Sequence, residues 1–493
     1  MDSLTFLIVV SLIHCALIFF DTLFKSCSHY PYLYFLHNTG LQVQVFQVRW
    51  FTTAFNRLIQ KCGSWRPSFL DLWFSFGSTC CLLLLPLAVY VVVKTAMDAW
   101  QTESQTNSGK STFILEPMVP GLNLPLSDIG YYVTTLVICS TVHELGHAVA
   151  AVSSREDVHV SGIGVTVLLI VPVLYVHLNT EQYDALAARR QLRVICAGVW
   201  HNFMLAAMTL LILILLPTLL TPFYEIGSGV VVQSIDQISP LLGPTGLLVG
   251  DKIVSINQHH VKDYDSWHYS ISSAIKTTSP GYCISSELVR LHDESVSVRQ
   301  SPGGVIECCS ASSTHHLCFE YLDKDENMPE LPQHSCLPGR VVIESTQQLC
   351  IKGSDCSLDR HCLKPLLTNQ TRLLRIQRDK GKVVIFVGHP NEIYHTVKVS
   401  EFVPKYVLIP SLIAEVLMKL CKYVILFSSG LGVVNIIPCF YFDGQHIVKA
   451  VCNAFLARKY KKSVRQAIAF TVTSLGTLLL FSIFLALIFA AVF

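Results

Sequence analysis

The chain has 493 residues, 51% of them hydrophobic and only 14% charged, with a mean hydropathy of +0.48. Soluble proteins carry about 25% charged residues, so these figures argue against a wholly soluble enzyme, and such an apolar chain is not disordered either. A net charge of +2 leaves no basic surplus for nucleic acid.

A membrane-spanning helix needs about 20 mostly apolar residues. Runs of that kind lie near 4–24, 73–95, 129–152, 194–220, 407–434 and 467–491, which predicts six spans. The first has Asp2 in place of a basic leader and no clear small-residue cleavage site, so it reads as a retained helix. A further apolar stretch, 162–178, is short, broken by Pro172 and opens as GIGVTV, so it predicts strand instead of a span. The segment 101–112 is polar and reads as a linker. Lys and Arg crowd the loops after the first, third and fifth spans, which puts those loops in the cytosol. Residues 96–128 and 221–405 then face the lumen. Eight of the 18 cysteines fall in that second stretch, from Cys283 to Cys362. An even, dense set with no CxxC pair predicts disulfides in an oxidising compartment. Asn369-Gln370-Thr371 is a glycosylation sequon on the same side.

The third span contains His143-Glu144-Leu145-Gly146-His147. On a helix, residues four apart share a face, so both imidazoles can reach one metal ion. Glu144 projects beside that face, where it can take a proton from metal-bound water. Ionisable groups inside a bilayer each cost roughly 2.5–3.5 kcal/mol, so three in one span call for a functional reason. A zinc hydrolase needs a third protein ligand. The other intramembrane polar cluster is Asn435-Ile436-Ile437-Pro438 followed by Asp443-Gly444, and Asp443 is the only carboxylate after Glu415. From the residues alone, Asp443 is either a ligand or the turn that ends a helix. Asn435 either holds substrate or an oxyanion, or satisfies carbonyls freed by Pro438. His201-Asn202 reads as packing between helices, with support behind the metal ligands as the alternative, and His446 as solvated.

A HELGH inside an apolar helix, with N-x-x-P-x-x-x-x-D-G in a later one, resembles the site-2 protease family of intramembrane zinc metalloproteases. Residues 227–257 resemble the opening half of the PDZ domain that family carries between its catalytic spans. Residues 158–172 resemble its membrane-associated β-hairpin, and AGVWHNF (197–203) its polar patch. Phe442 departs from the usual Leu before Asp-Gly, a swap of like size. The resemblance implies one zinc ion held by His143, His147 and Asp443, with Glu144 as the catalytic residue. It also implies single-pass, membrane-tethered transcription factors as substrates, of the sterol-regulatory and stress-response kinds, cut after a first luminal cleavage in the Golgi membrane.

The expected fold is thus a polytopic α-helical membrane protein with a luminal PDZ-like α+β domain. The expected parts are 1–128, two spans with a cytosolic loop and a luminal linker; 129–220, the first half of the catalytic core; 221–405, the PDZ-like domain with a Cys-rich insert near 283–362; and 406–493, the second half. An extended substrate is expected to pair with the strand edge at 158–168. Helix rise puts His143 roughly 13 Å from the cytosolic end of its span, so the cut is expected in the cytosolic half of a substrate helix. Rival readings are an inactive scaffold that binds membrane clients, and a prenyl-protein processing peptidase, whose third ligand is a Glu on a later helix.

Overall fold

The computed structural model describes residues 3–101, 125–153, 158–243, 245–277, 279–300, 306–310, 315–322, 333–346, 348–368 and 370–492. The sequon asparagine, Asn369, and all but the first residue of the 101–112 linker lie outside them. In chain order the principal helices are α1 (Ser3–Ser26), α2 (Pro67–Gln101), α3 (Ile129–Ala151), α4 (Ala188–Leu220), α5 (Tyr264–Lys276), α6 (Ser411–Ile436), α7 (Asp443–Phe455) and α8 (Lys462–Val492). Six of these, α1 to α4, α6 and α8, are long and apolar enough to cross a membrane. The chain divides into two compact units, Met1–Ile214 with Met418–Phe493, and Leu215–Leu417.

In the first unit, α3 buries Tyr132, Thr135, Cys139, His143, Gly146, His147 and Ala150. These recur at three- and four-residue steps, so they form one helical face turned into the protein. The crossing with α4 is close. A Cβ on Gly146 would stand 2.7 Å from the Ala197 carbonyl oxygen, and small residues are what permit such approach between membrane helices.

The strand expected at 162–178 is a hairpin of β3 (Val160–Leu168) and β4 (Val171–Leu178). It belongs to a larger sheet. The segment after the first span, expected as a loop, supplies β1 (Leu41–Gln44) and β2 (Gln47–Thr52), and the antiparallel order is β1-β2-β3-β4. β3 pairs with β2 from Gln47↔Leu168 to Thr52↔Ile163 and with β4 from Val160↔Leu178 to Leu168↔Val171. It has no free edge, so the 158–168 segment is not available for strand addition; that expectation moves to β4. Both hairpin tips turn at non-glycine residues in the left-handed region, Phe46 (φ 56°) and Leu169 (φ 54°), tied by a 3.0 Å bond from the Leu169 N–H to the Phe46 carbonyl. The exposed side chains there are Val45, Phe46, Leu168, Leu169 and Val171, an apolar tip suited to lipid.

The second unit contains an antiparallel sheet in the order 384–388, 372–378, 252–256, 230–235, 397–400. α5 covers it, with Trp267 only 1% exposed among Val230, Ile253, Ile376 and Phe386. Asp263 and Ser266 exchange side-chain and backbone hydrogen bonds at the start of α5, fixing where that helix begins. Between α5 and strand 372–378 the chain builds a second, five-stranded sheet. All eight clustered cysteines are paired there, as Cys283–Cys356, Cys308–Cys318, Cys309–Cys336 and Cys350–Cys362. His259-His260 forms a short strand on Ser255-Ile256, and His316 sits on a strand 3.4 Å from Glu294.

Truncating Trp267 to Ala opens a cavity under α5 and should destabilise the second unit by about 3–5 kcal/mol. Limited proteolysis in detergent should then cut within 215–417 while the helical unit keeps its resistance.

Candidate metal centre

Two elements deliver three donor atoms to one place. α3 supplies His143 and His147, and the first residue of α7 is Asp443. The two Nε2 atoms are 3.1 Å apart, and Asp443 Oδ2 lies 3.1 Å from that of His143 and 3.3 Å from that of His147. A tetrahedral ion bound at about 2.0–2.1 Å spaces its N and O ligands about 3.3 Å apart. Both rings are 6% exposed, and among the described residues Oδ2 has no aligned hydrogen-bond donor. Donor set, spacing and orphaned oxygen all fit a divalent cation, zinc among them.

The path of the chain explains how Asp443 arrives there. α6 stops at Ile436, and Pro438, which lacks an N–H, cannot continue it. Residues 437–442 fold back over the start of α7, and a Cβ on Gly444 would stand 1.9 Å from the Ile437 carbonyl oxygen. α8 holds this segment from outside. Its Gly476 lets the Pro438 carbonyl within what would be 1.9 Å of a Cβ, and Thr477 Oγ1 accepts the Phe440 N–H at 3.1 Å. The two readings of Asp443 are therefore both present in geometry, since it begins a helix and also faces the imidazoles.

Glu144 does not join the cluster of donors. Its Oε2 accepts the Val176 N–H of β4 at 2.9 Å, beside the histidines. That bond leaves through the free side of β4, because Val176 is already registered with Ile163 of β3 on the other. His147 Nδ1 donates to the Val194 carbonyl of α4 at 2.9 Å, which leaves its Nε2 as the lone-pair atom. Asn435 closes α6, half-buried. His201 turns back to its own helix, with Nδ1 2.7 Å from the Ala197 carbonyl oxygen, and His446 pairs with Gln445.

Two residues of α4 stand at the site: Asn202, whose place behind the ligands was the lesser of two readings from the sequence, and Gly198, read there only as part of the 197–203 patch. Asn202 is fully buried with Nδ2 3.2 Å from His143 Nδ1, so it touches a candidate ligand and does more than pack helices. Gly198 lies one turn earlier, and a Cβ there would stand 2.4 Å from His147 Nε2 and 2.8 Å from His143 Nε2. The i, i+4 spacing of Gly198 and Asn202 was a readable sign that they share a face. Gly198→Ala should weaken zinc binding on the order of 100-fold or more, since the methyl meets both donor nitrogens. Gly130→Ala, at a site with nothing within 4 Å, should leave it unchanged; chelator competition on the purified chain measures both.

Residues 131–481 match the model of peptidase family M50. The chain is also 25% identical over 482 residues to a protein from Arabidopsis thaliana described as a membrane-bound transcription factor site-2 protease homolog, with 87% of this chain and 90% of that one covered. The matched region holds all three donor residues and the two helices and broken segment that carry them. This chain belongs to peptidase family M50, the site-2 protease family of membrane metalloproteases.

Proposed function

We propose that this protein is an intramembrane zinc endopeptidase that cuts a transmembrane helix of a membrane-tethered transcription factor precursor and frees its cytosolic fragment. The substrates are of the sterol-regulatory and stress-response kinds and arrive after a first luminal cut. The observation that carries this reading is the trio His143, His147 and Asp443, whose donor atoms lie within 3.3 Å of one another beside Glu144. An intact trio with an adjacent carboxylate is what a scaffold would not need, and a carboxylate from Asp443 is what a prenyl-protein peptidase would not use.

His143, His147 and Asp443 would hold one zinc ion per chain, which would supply Lewis acidity at the scissile carbonyl. Glu144 takes the proton of the attacking water and delivers it to the leaving amine. For this it has Oε1, and a second lone pair on Oε2, beside the bond to the Val176 N–H. Asn435, at the end of α6, holds the substrate backbone or its developing oxyanion. The unwound substrate pairs with the free edge of β4, which runs alongside α3. The loops rich in Lys and Arg face the cytosol, the Cys-rich unit faces the Golgi lumen, Asn369 carries a glycan, and the cut falls in the cytosolic half of the substrate helix.

Glu144→Gln should keep about one zinc per chain and abolish cleavage of a tethered single-helix reporter, whereas Asp443→Ala should lose both. Cleavage surviving in Glu144→Gln would sink the protease reading.

The β4 edge has its own test. Residues alternate along a strand, so Leu174 and Val176 send their N–H groups the same way, out of the sheet. Leu174→Pro removes an outward donor without removing a ladder bond, so zinc should stay bound while reporter cleavage falls. Unimpaired cleavage would show that the substrate does not pair there.

A further inference from the structure

We infer that Asn202 is a positioning residue that selects the tautomer of His143, and through it decides whether that ring can hold the metal. This rests on the metal reading of the site and extends it by one residue.

A neutral imidazole carries one N–H and one lone pair, and only the nitrogen with the lone pair can bind a cation. For His143 to present Nε2 to the cluster, its Nδ1 must keep the proton and find an acceptor. His147 has a fixed answer, because a backbone carbonyl can only accept and Val194 provides one at 2.9 Å. His143 has a side-chain amide instead. Asn202 offers an NH₂ on one side and an oxygen on the other, and these make opposite demands on Nδ1. With Nδ2 toward the ring, as at 3.2 Å here, Nδ1 accepts. The ring proton then sits on Nε2, which faces His147 Nε2 at 3.1 Å, and leaves no lone pair there for an ion. With the amide turned over, Oδ1 accepts from Nδ1–H and Nε2 is free for the ion.

Two further observations support a bistable amide. Oδ1 is buried without a hydrogen-bond partner, so the present orientation leaves one polar atom unsatisfied, and the turned one leaves Nδ2 in that same place. Neither orientation wins on its own hydrogen-bond count, so amide and ring proton are coupled: the tautomer that frees Nε2 exists only with Oδ1 turned to Nδ1–H. The main chain, by contrast, is pinned. The Ser428 hydroxyl of α6 donates to the Asn202 carbonyl at 2.9 Å, and both residues are 0% exposed. The amide can therefore turn in place while its backbone stays fixed between α4 and α6. An Asp here would accept as well, but would add a third carboxylate to a membrane-embedded site that already holds Asp443 and Glu144.

The test uses the full chain in detergent. Zinc affinity is measured by competition with a fluorescent chelator, and ligand geometry by the visible absorption of the cobalt-loaded protein, for wild type, Asn202→Leu, Asn202→Asp and Ser428→Ala. Leu keeps the volume and removes the acceptor, so zinc affinity should fall 10–100-fold, the usual effect of losing a partner behind a metal-bound histidine, and the tetrahedral cobalt band should weaken. Asp keeps the acceptor and should bind within a few-fold of wild type with the band preserved. Ser428→Ala disturbs the packing of Asn202 and not its amide, so both readouts should hold. Wild-type affinity in Asn202→Leu overturns the inference, and so does an equal loss in Leu and Asp, which is the mark of packing alone. If Asn202→Leu does not fold, Asn202→Asp decides it: retained zinc supports the inference and lost zinc overturns it. Failure of wild type to take up zinc, or uptake unaffected by His143→Ala, instead removes the metal reading beneath it.

Discussion

The centre of this protein depends on a piece of backbone that leaves helical geometry between two membrane helices. In hydrocarbon an unpaired N–H or C=O costs several kcal/mol, so such a segment survives only inside protein or beside a cavity. Residues 437–442 meet that condition except at Tyr441, which is exposed. The Ile437 and Phe442 N–H groups return to the Val434 and Cys439 carbonyls, Phe440 finds Thr477, and Pro438 has no N–H to satisfy. Ile436, Ile437 and Cys439 are buried. Tyr441 takes a left-handed φ of 71°, a conformation that costs a non-glycine residue about 1–2 kcal/mol and that persists because both flanks of the turn are clamped. What this rigidity secures is the direction of Asp443, which stands at the start of α7, where a carboxylate is also favoured by the helix dipole.

α4 organises the other side of the site. Val194, Gly198 and Asn202 stand one turn apart, so a single face of one helix meets both imidazoles. Val194 offers a carbonyl to His147, Gly198 leaves the space in front of both Nε2 atoms open, and Asn202 reaches behind His143. The close crossing at Gly146 brings that face near enough. A larger residue at either glycine would separate the helices or fill the space that the donors enclose.

How much of this could be read in advance follows from the range of each interaction. The His143–His147 pair is local, since four residues on a helix fix it whatever the rest of the chain does. The paired cysteines were readable as a group because composition and side of the membrane decide that pairing occurs, but the partners emerge only from the strand order of the insert. Asp443 was readable as one of two things, and its being both a helix start and a neighbour of the imidazoles depends on α8, about 30 residues later. Asn202 was left between packing and a place behind the ligands because sequence does not say which face of α4 meets which face of α3. β1 and β2 were misread as loop, although Leu41, Val43 and Val45 alternate with polar residues. That short apolar-polar alternation fell in a region already assigned by its basic residues, and the strand that joins the β1–β2 hairpin to the sheet, β3, lies more than 100 residues away.

A sheet beside the catalytic helix makes physical sense on the proposed reading. A helix unwound for hydrolysis exposes backbone groups that lipid cannot satisfy, while a free strand edge offers N–H and C=O groups at the matching repeat. β3 cannot offer them, because both of its edges are taken; β4 can. One outward donor of β4, the Val176 N–H, is meanwhile held by Glu144. A substrate strand that pairs along β4 competes for that donor and releases the carboxylate. Seating the substrate and releasing Oε2 then become one exchange of hydrogen bonds, and that oxygen stays paired until there is a peptide to cut.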